Sequence, residues 1–169
     1  MSPTRPKRKM TDERLQEAKR QLARLAMSRL YETDYHAWAL EQARRLRDDE
    51  PIDAENIAEE LESLGKSQQR ELKNRIAEII EHLLKLLLPD HLREPNERSW
   101  KVSVLKQRLA IEQLLEQSPS LRSLLTPKLL AECYQDGLRL FKITDTAMLG
   151  NAPEGCIFSW DEILKEELR

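Results

Sequence analysis

Cysteine is scarce in this chain. Cys133 and Cys156 stand alone and far apart, which supplies neither a disulfide framework nor the paired spacing of a thiolate metal or redox site. Reduced thiols in a cytoplasm are the reading that follows. Glycine occupies only four positions and aromatic residues make up 5%, a balance that favours helices with solvated faces over turn-rich sheet. No alternating strand pattern, internal repeat or sustained heptad is present. No run approaches about 18 uninterrupted apolar residues, and no apolar segment follows the basic N-terminus, so neither a membrane span nor a secretory signal is expected. A phosphate-cradling glycine loop, a zinc spacing and a nucleophile motif are missing too. The common sequence routes to a chemical activity are therefore closed.

What the chain has in quantity is charge, at 34% of its 169 residues, with a net value of −2. That near-neutral balance argues against a surface given over wholly to nucleic acid or an anionic membrane. The charge is unevenly spread: residues 1–27 carry +5, and the remainder carries −7. The length suits one domain with an appendage. We expect an all-α protein, a single compact bundle of about five to seven helices, with residues 1–10 a flexible basic arm, residues 11–28 an amphipathic helix and residues 29–169 the bundle.

The most informative stretch is Ser67–Leu88, where Leu72, Ile76, Ile79, Ile80, Leu83, Leu86 and Leu87 recur at three- and four-residue spacing. Such spacing lays one broad apolar stripe along a helix that others must cover. Ser67 is placed to cap it and Pro89 to stop it. Upstream, Thr11 can cap a helix carrying Leu15, Leu22, Leu25, Ala26 and Met27, and Asp34 can cap one beginning at Tyr35. In that second helix Tyr35, Trp38, Ala39, Gln42 and Leu46 share a face. Asp53 can start a third, with Ala54, Ile57, Ala58, Leu61 and Leu64 aligned before Gly65, a residue suited to end a helix.

Residues 89–98 read as a polar connection, and Ser99 as the cap of a helix reaching about Gln117. That helix is apolar on two sides: Trp100, Val104, Ile111, Leu114 and Leu115 on one, and Val102, Leu105 and Leu109 on the other. Both sides are expected to be covered. Ser118-Pro119 and Thr126-Pro127 each set a hydroxyl before a proline at the first helical position. The second of these helices carries Leu130, Cys133, Tyr134, Leu138 and Phe141 on one face. After a loop with Gly150, Pro153 and Gly155, Ser159-Trp160-Asp161-Glu162 offers a capping box for a short last helix.

Few residues invite a chemical reading. His82 stands at the edge of the long stripe, one turn after Glu78, where histidine is ordinarily satisfied by a carboxylate or carbonyl. The sharper reading brings His82 to Asp34, Asn56 and Glu60 across packed helices, with Asp34, Glu60 and His82 as oxygen and imidazole ligands for manganese, iron or zinc. Carboxylate-bridged di-metal bundles need Glu-x-x-His on each of two helices. This chain has only Glu78-x-x-x-His82, and His36 and His91 do not repair the deficit. Capping alone accounts for Asp34. Trp38 and Trp100 are read as aromatic anchors of the core. Arg5, Lys7, Arg8 and Lys9 could contact phosphates, although an acidic body and the absence of interleaved aromatics favour a solubilising tail.

The segments Tyr31-Glu32-x-Asp34-x-x-x-Trp38, Asn56-Ile57-Ala58-Glu59-Glu60-Leu61-Glu62-x-Leu64-Gly65-x-Ser67, Glu81-His82-Leu83-Leu84-Lys85, Ser99-Trp100 and Ser118-Pro119-Ser120-Leu121 occur in that order, followed by residues 156–164, Cys-Ile-Phe-Ser-Trp-Asp-Glu-Ile-Leu. Together they resemble the Domain of Unknown Function family twenty-nine, a bacterial group frequent in cyanobacteria, over about residues 29–168. The resemblance implies a helical bundle and no established activity. It supplies no role for Asp34, Trp38, Asn56, Glu60, His82 or Trp100.

The leading expectation is a cytoplasmic binding or regulatory module, engaging a protein partner or a second copy through a helical surface or the N-terminal segment. Catalysis is not expected, nor is a cofactor or a membrane. Two alternatives stand beside it: a metal-dependent hydrolase or nuclease using Asp34, Glu60 and His82 around a divalent ion, and nucleic-acid binding through the basic arm.

Overall fold

A computed structural model describes residues 12–144 and 155–165, and every regular element among them is helical. In chain order these are α1 (Asp12–Thr33), α2 (Tyr35–Arg47), α3 (Ala54–Leu86), α4 (Asp90–Arg93), α5 (Glu97–Gln117), a 3-10 helix (Pro119–Leu124), α6 (Pro127–Thr144) and α7 (Trp160–Leu164). The protein is all-α, as its composition implies. The expected basic arm, the Thr11 cap and the Gly150–Pro153 stretch lie outside the described residues. The chain divides into two compact units, residues 1–64 and 65–169.

In the first unit, α1 and α2 are separated by Asp34, whose backbone leaves the helical region at φ −152° and ψ 81° while its carboxylate accepts from the Ala37 amide at 3.0 Å. The expected cap is in place. Burial in this unit is thin. Met27, Trp38, Gln42 and Asp53 are covered, whereas Leu22, Leu25, Leu40, Leu46, Leu61 and Leu64 are each more than half exposed. The α2–α3 connection is fastened from inside, because the Asp53 amide donates to Gln42 Oε1 at 2.8 Å and Asp53 Oδ2 accepts from Asn56 Nδ2 at 2.7 Å. A buried backbone donor left unpaired costs roughly 1–3 kcal/mol, which this side chain prevents.

Two boundaries differ from the expectation. Gly65 does not end a helix, and Ser67 does not begin one: both lie inside the continuous α3, and no described glycine has a positive φ. A glycine stops a helix by turning left-handed; where its neighbours keep the helical ladder it is carried along at a cost of about 1 kcal/mol relative to alanine. At the other end, Leu87 and Leu88 amides bond to the carbonyls three residues back, Leu84 and Lys85. This tightened turn leaves Leu87 exposed and Leu88 buried.

The second unit holds the main core. Leu72, Ile76, Ile79, Ile80 and Leu83 of α3 pack with Val104, Ile111, Leu114 and Leu115 of α5, with Leu129, Cys133, Tyr134, Leu138 and Phe141 of α6, and with Ile163 of α7. Each such side chain contributes about 1.5–3 kcal/mol when fully buried. Polar ties join the same helices: Lys73 to Glu132 at 2.7 Å, and Arg75 to Gln107 at 2.8 Å. Arg108 reaches the Glu162 and Ile163 carbonyls at 2.6 and 2.8 Å, satisfying acceptors that α7 cannot pair internally.

Other capping expectations divide. Ser159 and Glu162 form the capping box, and the Thr126 hydroxyl accepts from the Leu129 amide at 3.2 Å. Ser118 makes no such bond and precedes a 3-10 helix; α5 starts at Glu97, so Ser99 lies in its first turn; and the 89–98 connection contains α4. The expected double covering of α5 is also corrected, since Val102, Leu105 and Leu109 remain exposed.

At Gly137, α6 lies close against α3. A Cβ there would stand 2.7 Å from the Ala77 carbonyl oxygen and 2.8 Å from Ile80 Cβ and Cγ2. Two of those atoms are fixed to the α3 backbone, so Gly137→Ala must push the helices apart. We expect a loss of about 1–3 kcal/mol in urea unfolding, against a change within a few tenths for the exposed Gln135→Ala.

Candidate functional site

The sequence-derived cluster of Asp34, Asn56, Glu60 and His82 separates in the structure. Glu60 and His82 were expected on two facing helices; they lie on one, α3, 22 positions apart, where side chains that meet are three or four apart. Asp34 is engaged as the α2 cap, and Asn56 donates to Asp53. Among the described residues no group of three or more histidine, cysteine, aspartate or glutamate side chains is placed to hold a metal ion. His36 and His91 are exposed, the latter on α4. Arg5, Lys7, Arg8 and Lys9 are outside the described residues.

What the structure does assemble is an aromatic group around Glu60. Tyr31, Tyr35 and Trp38 recur at spacings of four and three residues across the α1–α2 break, which brings the rings together. Tyr31 meets Trp38 edge-on with centroids 4.7 Å apart, and Tyr35 lies 5.6 Å from Trp38 and 5.9 Å from Tyr31. Both phenols point at one carboxylate. The Tyr31 hydroxyl donates to Glu60 Oε1 at 2.5 Å and the Tyr35 hydroxyl to Oε2 at 3.0 Å. Trp38 is the buried base of the group, and its indole Nε1, with Gln42 Nε2 one turn on, finds no partner among the described residues.

The chemistry of this arrangement follows from those bonds. Hydrogen bonding to Glu60, aided by burial and by the charges of Glu60 and Glu59, pushes the Tyr31 hydroxyl up to about 12; Tyr35 is raised by its bond to the same carboxylate. Phenols held protonated act as donors, not as bases or nucleophiles. Each Glu60 oxygen already accepts a bond. The group therefore suits clamping α1 and α2 to the start of α3, and α1 is further tied there by the exposed Arg24–Glu55 pair at 2.7 Å. Sequence reasoning singled out Trp38 and Glu60 and set Tyr35 on the Trp38 face, but joined neither tyrosine to Glu60; the signal was the four-residue repeat Tyr31–Tyr35 ending beside Trp38.

Beside that group, Arg44 fans out to Glu41, Asp48 and Glu50, with Arg45 also on Glu41 at 2.6 Å. The paired guanidiniums hold the Glu41 carboxyl down at about 2. These groups are largely solvated and paired, which makes them a surface network rather than a reactive centre.

In the second unit His82 is half-buried, and its Nδ1 has no partner among the described residues. Burial lowers its pKa, with Lys85 adding to the effect and Glu81 and Glu78 opposing it. Trp100 is partly buried against the core, with the Lys85 ammonium 5.9 Å from its ring centroid. Burial pushes the Cys133 thiol up to about 11, which leaves it inert as a nucleophile. Open grooves of about 500 Å³ and 490 Å³ flank α3. Arg70, Glu71, Arg75 and Gln107 line one, Glu81, Asp136 and Arg139 the other, and Asn74 and Glu78 border both.

A family model described as Domain of unknown function DUF29 matches residues 30–168. No curated protein matches the chain, and no solved structure does.

Two measurements check the electrostatics. Glu60→Ala should drop the Tyr31 ionisation from about 12 toward the ordinary value near 10, read as phenolate absorbance during alkaline titration. For His82 the lowered folded pKa means that the unfolded chain takes up a proton the folded chain rejects. Its contribution is thus fully present above about pH 6.5 and is lost as pH falls through the folded value. His82→Gln should therefore lose less stability than the parent between pH 7.5 and 5.5 in urea titrations.

Proposed function

The chain belongs to the DUF29 family, and from that premise we propose that it works as a protein-binding module that engages a partner through the leucines of its first unit. One observation carries the reading. Leu22 and Leu25 on α1, and Leu61 and Leu64 on α3, are each more than 60% exposed in a unit whose three helices are nevertheless held in fixed register by Glu60, Asp34 and Gln42. Single exposed leucines are ordinary, whereas pairs at three-residue spacing on two helices of one unit form the kind of surface that receives an apolar helix.

The polar groups support a binding role over a catalytic one. The Tyr–Glu60 bonds occupy the carboxylate, capping occupies Asp34, and the raised phenol pKa values keep both tyrosines protonated near neutral pH. Rigid positioning of an apolar face reduces the ordering that binding must impose.

The test uses the full chain carrying a photo-crosslinking residue in place of Ser28, on α1. A single protein adduct of reproducible mass is expected, and Leu22→Glu with Leu25→Glu should reduce it at least tenfold while leaving helicity and the unfolding midpoint unchanged. An adduct indifferent to those charges, or a turnover that survives them, would overturn the reading.

A further inference from the structure

We propose that the uncovered face of α5 is a self-association surface, on which a second copy of this chain docks its own α5 in antiparallel orientation. The face goes beyond the leucines of the first unit, since it belongs to the second. Its apolar part is Val102, Leu105 and Leu109, at spacings of three and four residues, with exposures of 42%, 53% and 59%. The opposite side of the same helix, Val104, Ile111, Leu114 and Leu115, is buried in the core. Half of a doubly apolar helix is therefore covered by its own chain.

The charges at the two ends of this face name the occupant. At 100° per residue, Arg98 and Glu112 fall in line with Val102, Leu105 and Leu109, as does Glu116. Read along the helix, the face runs from a cation through three apolar side chains to two carboxylates. Arg98, Glu112 and Glu116 are all exposed, and none has an ion-pair partner among the described residues, while nearby Lys101 and Arg93 are both paired with Glu97.

Arg98 in the first turn and Glu116 in the last also oppose the helix dipole, which favours the reverse placement of charge. A face with opposite ends and an apolar middle is complementary to itself when inverted. A twofold axis at Leu105 sets Leu105 against its counterpart, brings Val102 beside the other copy's Leu109, and places Arg98 opposite Glu112 at both ends. This is the self-matching contact that a closed dimer requires. It also sets each carboxylate-bearing helix end near the other copy's N-terminus, which relieves the dipole conflict.

One helix on one helix is a small interface, so the association should be weak and concentration-dependent. Sedimentation equilibrium of the full chain at low salt, from micromolar to near-millimolar, should show mass rising from 19.8 kDa toward twice that value. Leu105→Glu, which puts two carboxylates on the axis, should leave a monomer throughout. Arg98→Glu and Glu112→Arg should each weaken association about tenfold, and the double variant Arg98→Glu/Glu112→Arg should restore it. These positions are exposed, so the unfolding midpoint should hold, which separates lost association from lost folding.

A disulfide through Leu105→Cys in a Cys156→Ser background gives a second reading of the axis. It should form rapidly in air, and Leu109→Cys in the same background should form one far more slowly. A parent that stays monomeric across the range, or a dimer indifferent to Leu105→Glu and to the charge swap, would overturn the proposal. Neither result bears on Leu22 and Leu25, whose adduct is read separately.

Discussion

The close approach of α6 to α3 at Gly137 is the constraint on which the second unit turns. With Ala77 and Ile80 on one side and no side chain on the other, two helices meet at a distance that any Cβ would widen. That proximity is what lets Cys133, Tyr134, Leu138 and Phe141 seal the α3 stripe rather than merely border it. Tyr134, at 0% exposure, and Cys133, at 1%, lie one turn before the glycine. Close packing then settles the polar ties: Lys73 finds Glu132 across the same seam, and the pairing holds Glu132 below and Lys73 above their usual ranges. Both groups are well exposed, so the seam depends on its apolar fill and gains only specificity from the pair.

The first unit solves a different problem with little apolar material. Its helices are short of buried side chains, and register comes from directional bonds. Glu60 accepts from two tyrosines one turn apart; Gln42 accepts from the Asp53 amide; Asp53 in turn receives Asn56. The Glu60 and Gln42 bonds tie residues 11 to 29 positions apart, so a shift of one residue along a helix would break several together. The same economy explains the exposed leucines. A unit whose alignment is fixed by polar contacts need not use every apolar side chain for its own cohesion.

Much of this was legible from residue type and spacing. The α3 stripe from Leu72 to Leu83, the α6 face, the Asp34 cap and the Ser159 box all arise from local rules, and periodicity or capping chemistry reveals them directly. The failures share a cause. Whether Gly65 ends a helix depends on the conformation it takes, and Gly65 alone does not carry that information. Separating α3 at that point is what made a meeting of Glu60 with His82 conceivable, and the unbroken helix removes its premise. The Tyr31 and Tyr35 bonds escaped notice because they run from α1 and α2 to Glu60 on α3, a tertiary contact that periodicity within one helix does not reveal. Gly137 was hidden for the opposite reason: a residue without a side chain leaves no mark in an apolar pattern.

The rotation of α5 can be argued from one buried pair. Lys85 and Glu81 form a 2.7 Å ion pair on α3 with both side chains about nine-tenths covered, and such a pair adds little net stability over an apolar substitute. Its effect is directional. The Lys85 stem is buried while its ammonium lies by the face of Trp100 on α5, a contact that rewards one orientation of the indole. With Trp100 drawn toward α3, helical geometry turns Val104, Ile111 and Leu115 inward, and the residues on the far side of the wheel must face out. Val102, Leu105 and Leu109 are thus exposed as a consequence of how α5 is anchored. A chain that needed them inside would have had to give up the Lys85–Trp100 contact and the Val104–Leu115 packing together.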